Sequence, residues 1–168
     1  MEHRFDTVLI IEDYTVPARD ILYRFEDEFN KLFPSLPVKV ENIPKDISVI
    51  GDPETLVTVA SSCASSLLEK GKAAYMFLEE DAEGVILTVK PMSALFDKEN
   101  YVFSPLPLMK LKTEAEPYIW MITTTPQGGY VISLGKKVEK SASIGEFPLH
   151  DVDDTVIRSI ILKYVRRK

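Results

Sequence analysis

The sequence has few of the residues that hold disulfides or metals, and no long apolar run. Cys63 is the single cysteine, and His3 and His150 are the only histidines among 168 residues. One cysteine can form neither an internal disulfide nor a cysteine-based metal cluster. No apolar run approaches the roughly 20 residues that cross a bilayer, and the start, "MEHRFDTV", lacks the basic-then-apolar pattern of an export signal. We therefore expect a cytoplasmic protein without membrane insertion.

The rest of the composition is that of an ordinary globular chain. Hydrophobic residues make up 45% and charged residues 27%, which is enough to bury a core in one domain, or in one domain with an added element. The net charge of -6 argues against a nucleic-acid partner. The only basic cluster, from Arg166 to Lys168, is explained by the preference of cations for the end of a helix.

Apolar periodicity predicts four helices and a sheet. A strand is expected from Phe5 to Glu12, followed by a helix that Thr15 caps and Pro34 stops. Further helices are predicted from Glu54 to Leu68, within "TEAEPYIWMITTT", and from Asp151 to Val165. The remaining strands are "PVKVEN", "DISVIGD", a hairpin of "AAYMFLEE" with "GVILTVKP", and a second hairpin of "GGYVISLG" with "KSASIGEFP"; residues 92–111 form a long excursion. This order predicts an α+β, two-layer sandwich, in which helices cover one face of a mixed, mostly antiparallel sheet.

Four of these segments together resemble the ATP-binding domain of sensor histidine kinases. They are "RFD" with its apolar run, "NIPKDISVIGDPETLVTVASSCASSLL", "AEGVILTVKP", and "GGYVISLG" with "IGEFPL". The resemblance covers about Arg4 to Leu149, and its most specific part is "IGDPETL" with the helix that follows. It implies the fold, known as GHKL or Bergerat, that is shared with gyrase, Hsp90-type chaperones and MutL.

The resemblance also implies a nucleotide site whose characteristic residues are replaced in this chain. Two family asparagines, the second of which usually holds magnesium, align with Ser62 and Ser66. The basic residue that follows them falls near Glu69, and the aspartate that binds adenine aligns with Lys90. The first glycine of that aspartate's box aligns with Met92. We therefore expect a degenerate domain that has lost its ATP site, binds no cofactor or metal, and is not an enzyme.

This alignment predicts the geometry of the degenerate site. Residues four apart on a helix share a face, so the two serines are expected to point the same way, with Lys90 nearby at one side of the sheet. An ammonium is costly to bury unpaired, so Lys90 is expected to reach solvent or to pair with Glu69. We expect apolar side chains such as Met92 or Leu95 to fill the space that adenine would take.

The functional hypothesis is a non-catalytic histidine-kinase-like domain that binds other proteins in two-component-type signalling. Its expected partner is a receiver or kinase domain. Residues 1–150 would form the domain, and residues 151–168 a C-terminal helix that either packs on it or associates with a second copy to form a homodimer. One alternative is a histidine phosphotransferase with His150, in "LHDVDDTV", as the phosphoacceptor. Another is an unrelated α+β structural or interaction domain.

Overall fold

The computed structural model describes residues 15–138 and 152–168, and these contain four α-helices. Three of them lie close to their predicted positions in the sequence, and one does not. The helices are α1 Ala18–Leu32, α2 Pro53–Glu69, α3 Leu108–Ala115 and α4 Asp154–Tyr164. Two short 3-10 helices lie at Lys98–Asn100 and Glu116–Tyr118. Within these described ranges, no helix combines the length and the apolar character that crossing a membrane would need.

A five-stranded sheet is the centre of the fold, and its strand order is β2-β4-β5-β8-β7. Strand β2 pairs with β4 in parallel, and the other neighbours are antiparallel. Two further antiparallel pairs, β1 with β3 and β6 with β9, lie outside it. The strands are β1 Thr15–Pro17, β2 Val38–Val40, β3 Ser48–Ile50, β4 Lys72–Glu80, β5 Val85–Ser93, β6 Tyr101–Phe103, β7 Met121–Thr124, β8 Tyr130–Ser133 and β9 Val165–Arg167.

Alternation along β5 shows which face of the sheet meets the helices. Val85, Leu87 and Val89 are fully buried, whereas Ile86 and Thr88 between them are partly exposed. Because successive strand residues point to opposite faces, the first set lies on the helix-facing side. Helices α1 and α2 pack together on that side of the sheet, and α4 packs mainly on these two helices. The α+β sandwich with a mixed, mostly antiparallel sheet is therefore confirmed.

Helix α2 begins where the sequence predicts and is buried on nearly all sides. The Asp52 carboxylate accepts a hydrogen bond from the Thr55 backbone N–H at 3.1 Å, and Pro53 occupies the first helical turn, a favourable arrangement for a helix start. The helix contacts the sheet, α1, α3 and α4. Both the apolar stripe and the serine-rich face are consequently buried.

Three predicted elements differ from the structure. Thr15 does not cap α1, because residues 15–17 form β1 and pair with β3. The third helix begins earlier, at Leu108, and ends at Ala115; the threonines predicted to be helical form strand β7, in keeping with their β-branched side chains. The last helix ends at Tyr164, where the chain becomes extended and forms β9.

Several predictions fall outside the described residues. They are the strand from Phe5 to Glu12, the strand "KSASIGEFP", and both histidines, His3 and His150. The division into residues 1–150 and a C-terminal helix likewise stays a prediction. Within the described part, the second hairpin is formed by β7 and β8, which pair from Met121 to Thr124 and from Tyr130 to Ser133.

Candidate functional site

Ser62 and Ser66 lie on the same face of α2, and the chain's own groups hold both hydroxyls. Ser62 is 1% exposed and Ser66 is 8% exposed. The Ser62 Oγ accepts a hydrogen bond from the Leu106 backbone N–H at 2.8 Å. The Ser66 Oγ accepts one from the Tyr130 hydroxyl at 3.0 Å. Their spacing of four residues places the two serines on one helix face. There the Ser62 hydroxyl contacts the segment before α3, and the Ser66 hydroxyl contacts strand β8.

Tyr130 connects the sheet to α2 across this site. It is the first residue of β8 and lies opposite Val89 of β5, on the helix-facing side. Its ring is partly buried against the core, and its hydroxyl reaches Ser66. Burial raises the pKa of the Tyr130 phenol, and Cys63 acts in the same direction, whereas the hydrogen bond with Ser66 lowers the pKa. The phenol therefore stays a neutral donor near pH 7.

Lys90 lies on the opposite face of the sheet from these serines, which corrects the predicted cluster. In β5 the buried positions are Val85, Leu87 and Val89, so Lys90 points the other way, beside Tyr75 of β4. Pro91, in register with the buried Ala74, takes the helix-facing position. The predicted position of Lys90 beside Ser62 and Ser66 was therefore wrong. The alternation of apolar residues in "VILTV" was a signal that could have shown it.

Glu69 and Lys90 do not pair, and a different lysine approaches the end of α2. The side-chain amine of Lys98 donates to the Glu69 backbone carbonyl at 3.0 Å. In the described part of the chain, no ion pair joins Glu69 to Lys90. A lysine at the last helical carbonyls is favourable because the helix dipole places partial negative charge there.

The apolar residues that were predicted to fill the adenine space do not fill it. Met92 is 38% exposed, and the Leu95 side chain is fully exposed. The contacts around Ser62 and Ser66 come instead from Leu106 and from Tyr130. Leu106 lies in residues 94–107, between β5 and α3, and this segment is called the excursion below. Sequence reasoning missed both residues. Tyr130 could have been found from the spacing of two between it and Ile132, which is buried on the same face.

Two further α2 side chains are buried beside the site without a chemical role. Ser61 is fully buried, and its hydroxyl has no hydrogen-bond partner among the residues that the structure describes. Cys63 is fully buried as well, and burial raises the pKa of its thiol, so the thiolate form needed for reaction is suppressed. No group of three potential metal ligands exists among residues 15–138 and 152–168.

The sequence matches no family model and no curated protein, but its structure matches solved structures. The ATP-binding domain of PrrB from Mycobacterium tuberculosis is 17% identical, with a TM-score of 0.56; the match covers 75% of this chain and 98% of that one. The mycobacterial sensor histidine kinase MprB is 12% identical over 74% and 98%, with a TM-score of 0.45. The histidine kinase domain of the E. coli osmosensor EnvZ is 11% identical over 74% and 90%, with a TM-score of 0.40.

The chain has the GHKL-type fold of histidine-kinase ATP-binding domains, as the similarity to PrrB shows. The alternative of an unrelated α+β fold is thereby excluded. The comparison also contradicts the prediction that the chain is not an enzyme, because the matched structure is the ATP-binding domain of a histidine kinase, which is an enzyme. That prediction is withdrawn.

Proposed function

We propose that this chain is a histidine-kinase-like domain that acts as an interaction module in two-component-type signalling, with its nucleotide site closed by contacts within the chain. The GHKL-type fold supports this proposal, because the ATP-binding domain of PrrB has a similar fold. The observation that supports closure is the engagement of both serine hydroxyls, Ser62 by Leu106 and Ser66 by Tyr130.

The chemistry of the replaced positions supports the same proposal. A magnesium ion requires oxygen ligands at about 2.0–2.1 Å in near-octahedral geometry. A serine side chain is shorter than an asparagine, and the Ser66 Oγ already accepts from the Tyr130 hydroxyl. Lys90, which aligns with the adenine-binding aspartate, points to the other face of the sheet, and the helix-facing residue next to it, Pro91, carries no polar side-chain atom. A bound nucleotide would have to displace hydrogen bonds without recovering equivalent ones.

Nucleotide binding is the direct test of closure. We would titrate the protein with a fluorescent, non-hydrolysable ATP analogue in magnesium and use the PrrB domain as the positive control. No saturable binding is expected in the micromolar range. The variant Tyr130→Phe removes the hydroxyl but keeps the ring, so it separates loss of the hydrogen bond from loss of bulk. Micromolar affinity in the unsubstituted protein would contradict the closed site.

The interaction role needs a separate test, because a closed site does not identify a partner. Purified receiver domains and histidine kinases encoded beside this chain would be titrated against it by calorimetry. We expect one of them to bind with a stoichiometry of one partner per domain. If none binds, in either the phosphorylated or the unphosphorylated state, the interaction role is wrong.

The predicted homodimer through the C-terminal helix stays a separate prediction. Helix α4 already buries Ile157, Ile160 and Ile161, and its exposed apolar residue is Leu162, which is 44% exposed. Sedimentation across a range of protein concentrations, with Leu162→Lys as the comparison, would decide the oligomeric state.

A further inference from the structure

The end of α4 lies at a junction between α2 and the excursion that follows β5. The Tyr164 carbonyl accepts two hydrogen bonds, one from the Ser65 hydroxyl at 2.7 Å and one from the Ser104 backbone N–H at 2.9 Å. Ser104 is two residues before Leu106, whose N–H holds Ser62. One carbonyl therefore ties the serine face of α2 to the segment that covers it.

Strand β9 extends this connection by pairing with β6 inside the excursion. Val165, Arg166 and Arg167 lie opposite Phe103, Val102 and Tyr101, and the Lys168 backbone N–H donates to the Asn100 carbonyl at 3.0 Å. In an antiparallel pair, alternate residues exchange hydrogen bonds. Backbone hydrogen bonds join Ser104 to Tyr164 and Asn100 to Lys168. The pair between them, Val102 and Arg166, is therefore a hydrogen-bonded pair as well.

Arg167 anchors the far end of the strand to α1. One of its guanidinium nitrogens donates to the Leu32 carbonyl at 2.9 Å. The guanidinium also lies 5.6 Å from the ring centre of Phe33 and 5.7 Å from that of Tyr101, within the range of a cation–π contact. The Tyr101 hydroxyl is 2.6 Å from the Ser35 hydroxyl. Residues 165–168, which we term the C-terminal latch, thus join α1 to the excursion.

We propose that the C-terminal latch holds the excursion closed over Ser62, and that release of the latch from β6 uncovers Ser62. This inference rests on the proposed closure of the nucleotide site. The closure then depends on the latch. A partner that binds the extended strand β9, or that pairs with the edge of β6 in place of β9, would open the site without unfolding the core.

The latch is the part of the C-terminal segment that is suited to release. Helix α4 is fixed by Ile157 and Ile161, which are buried, and by two ion pairs, Arg158 with Glu28 and Arg24 with Asp154. By contrast, β9 contains only three residues, of which Val165 is buried while Arg166 and Arg167 are exposed. Local opening begins where few apolar groups are buried and backbone hydrogen bonds are exposed. The strand can therefore detach while α4 stays docked.

Hydrogen exchange of the Ser104 and Leu106 amides tests the latch directly. Arg166→Pro removes the N–H that pairs with Val102, while the matched control Arg166→Ala removes the same exposed side chain and keeps the N–H. We expect both amides to exchange roughly ten-fold faster in Arg166→Pro. In Arg166→Ala their rates should stay within about two-fold of the unsubstituted protein. Amides of β4 and β5 serve as the internal reference for an intact core.

A chain that stops after Val165 provides a second variant in case proline distorts the end of α4. It retains the buried Val165 and lacks residues 166–168, so it should show the same faster exchange at Ser104 and Leu106. Unchanged exchange at these amides in both variants, with β9 absent or unpaired, would overturn the latch. The measurement uses no nucleotide. Nucleotide binding by the unsubstituted protein would therefore refute the proposed closed site, and unchanged exchange would refute the latch alone.

Discussion

At the scale of single residues, the serines of α2 show how a polar helix face becomes part of a core. Ser62, Ser65 and Ser66 each exchange a hydrogen bond with a different part of the chain, namely Leu106, Tyr164 and Tyr130. A buried hydroxyl without a partner is costly, and within the described part of the chain the Ser61 hydroxyl lacks one. The serine face is therefore held by specific contacts from three directions.

Gly51 offers a residue-scale prediction about packing next to α2. A Cβ added there would lie 2.3 Å from the Trp120 Cζ2 atom, and Trp120 is buried with its ring N–H donated to the Ile50 carbonyl at 3.1 Å. Gly51→Ala should therefore lower the free energy of unfolding by about 1–3 kcal/mol. Urea unfolding in the Trp120→Phe background is the control, because the smaller ring should relieve most of the cost. An equal cost in both backgrounds would contradict the overlap.

The two raised tyrosine pKa values predict weaker stability at alkaline pH. Burial is the main cause for Tyr130 and for Tyr164. The pKa of each tyrosine is higher in the folded protein than the unfolded value of about 10. Each tyrosine therefore makes its full contribution to the free energy of unfolding below pH 10. This contribution is lost as the pH rises through the folded pKa. Unfolding measured between pH 8 and 11 should show a shallower alkaline decline for Tyr130→Phe than for the unsubstituted protein, and parallel curves would contradict this assignment.

At the scale of elements, the sequence was most informative where its apolar pattern was long and regular. Helix α2 and the β4–β5 hairpin were predicted nearly to their ends, because each repeats its period over nine or more residues. The alternation along β5 was not applied to Lys90, so the face of the sheet on which Lys90 lies was predicted wrongly. Strand β9 could not have been predicted, because its three residues become extended only by pairing with β6, which lies more than 60 positions earlier.

The site was predictable only in part for a similar reason. The spacing of Ser62 and Ser66 places them on one helix face whatever the rest of the chain does. Their partners depend on tertiary contacts, since Leu106 is 44 residues from Ser62 and Tyr130 is 64 residues from Ser66. No local pattern around Leu106 indicates that its N–H meets a serine, because the bond comes from the backbone and leaves no mark in the side-chain sequence.

The contact between α1 and α4 gives a prediction at the element scale. The Glu28 side chain is 3% exposed and accepts from Arg158 at 2.6 Å, while the more exposed Lys31 lies 3.4 Å from its other oxygen. Removing one partner of a buried carboxylate leaves a charge poorly compensated. Arg158→Ala should therefore destabilise the fold by about 1–3 kcal/mol. Lys31→Ala should cost under about 1 kcal/mol. Similar costs in urea unfolding would show that Arg158 is not the main counterion.

At the scale of the whole molecule, the fold confirms the histidine-kinase-type architecture. The matched PrrB domain is covered almost completely, at 98%, whereas 75% of this chain takes part. Helix α4 and β9 contact α1, α2 and the excursion after β5. The C-terminal segment is therefore integrated into the folded domain.

A phosphorylation assay on the intact chain and on a His150 variant tests the phosphotransferase alternative. It predicts an acid-labile phosphoryl group on the protein after incubation with a phosphorylated receiver domain, because phosphohistidine is the product of transfer to an imidazole. Autoradiography of acid-treated and untreated samples would detect it. His150→Ala should abolish the label while leaving thermal unfolding unchanged. Label that persists in this variant, or is absent from both proteins, would exclude His150 as the acceptor.

The ion pair between Glu28 and Arg158 also bears on how the chain is made. The two residues are 130 positions apart, so at about 5–20 residues per second α1 emerges roughly 7–26 seconds before its charge partner. During that interval the carboxylate of Glu28 and the outer side of α1 lack the surface that later covers them. The apolar residues of α1 that α4 later covers therefore stay exposed until the last helix has been synthesised.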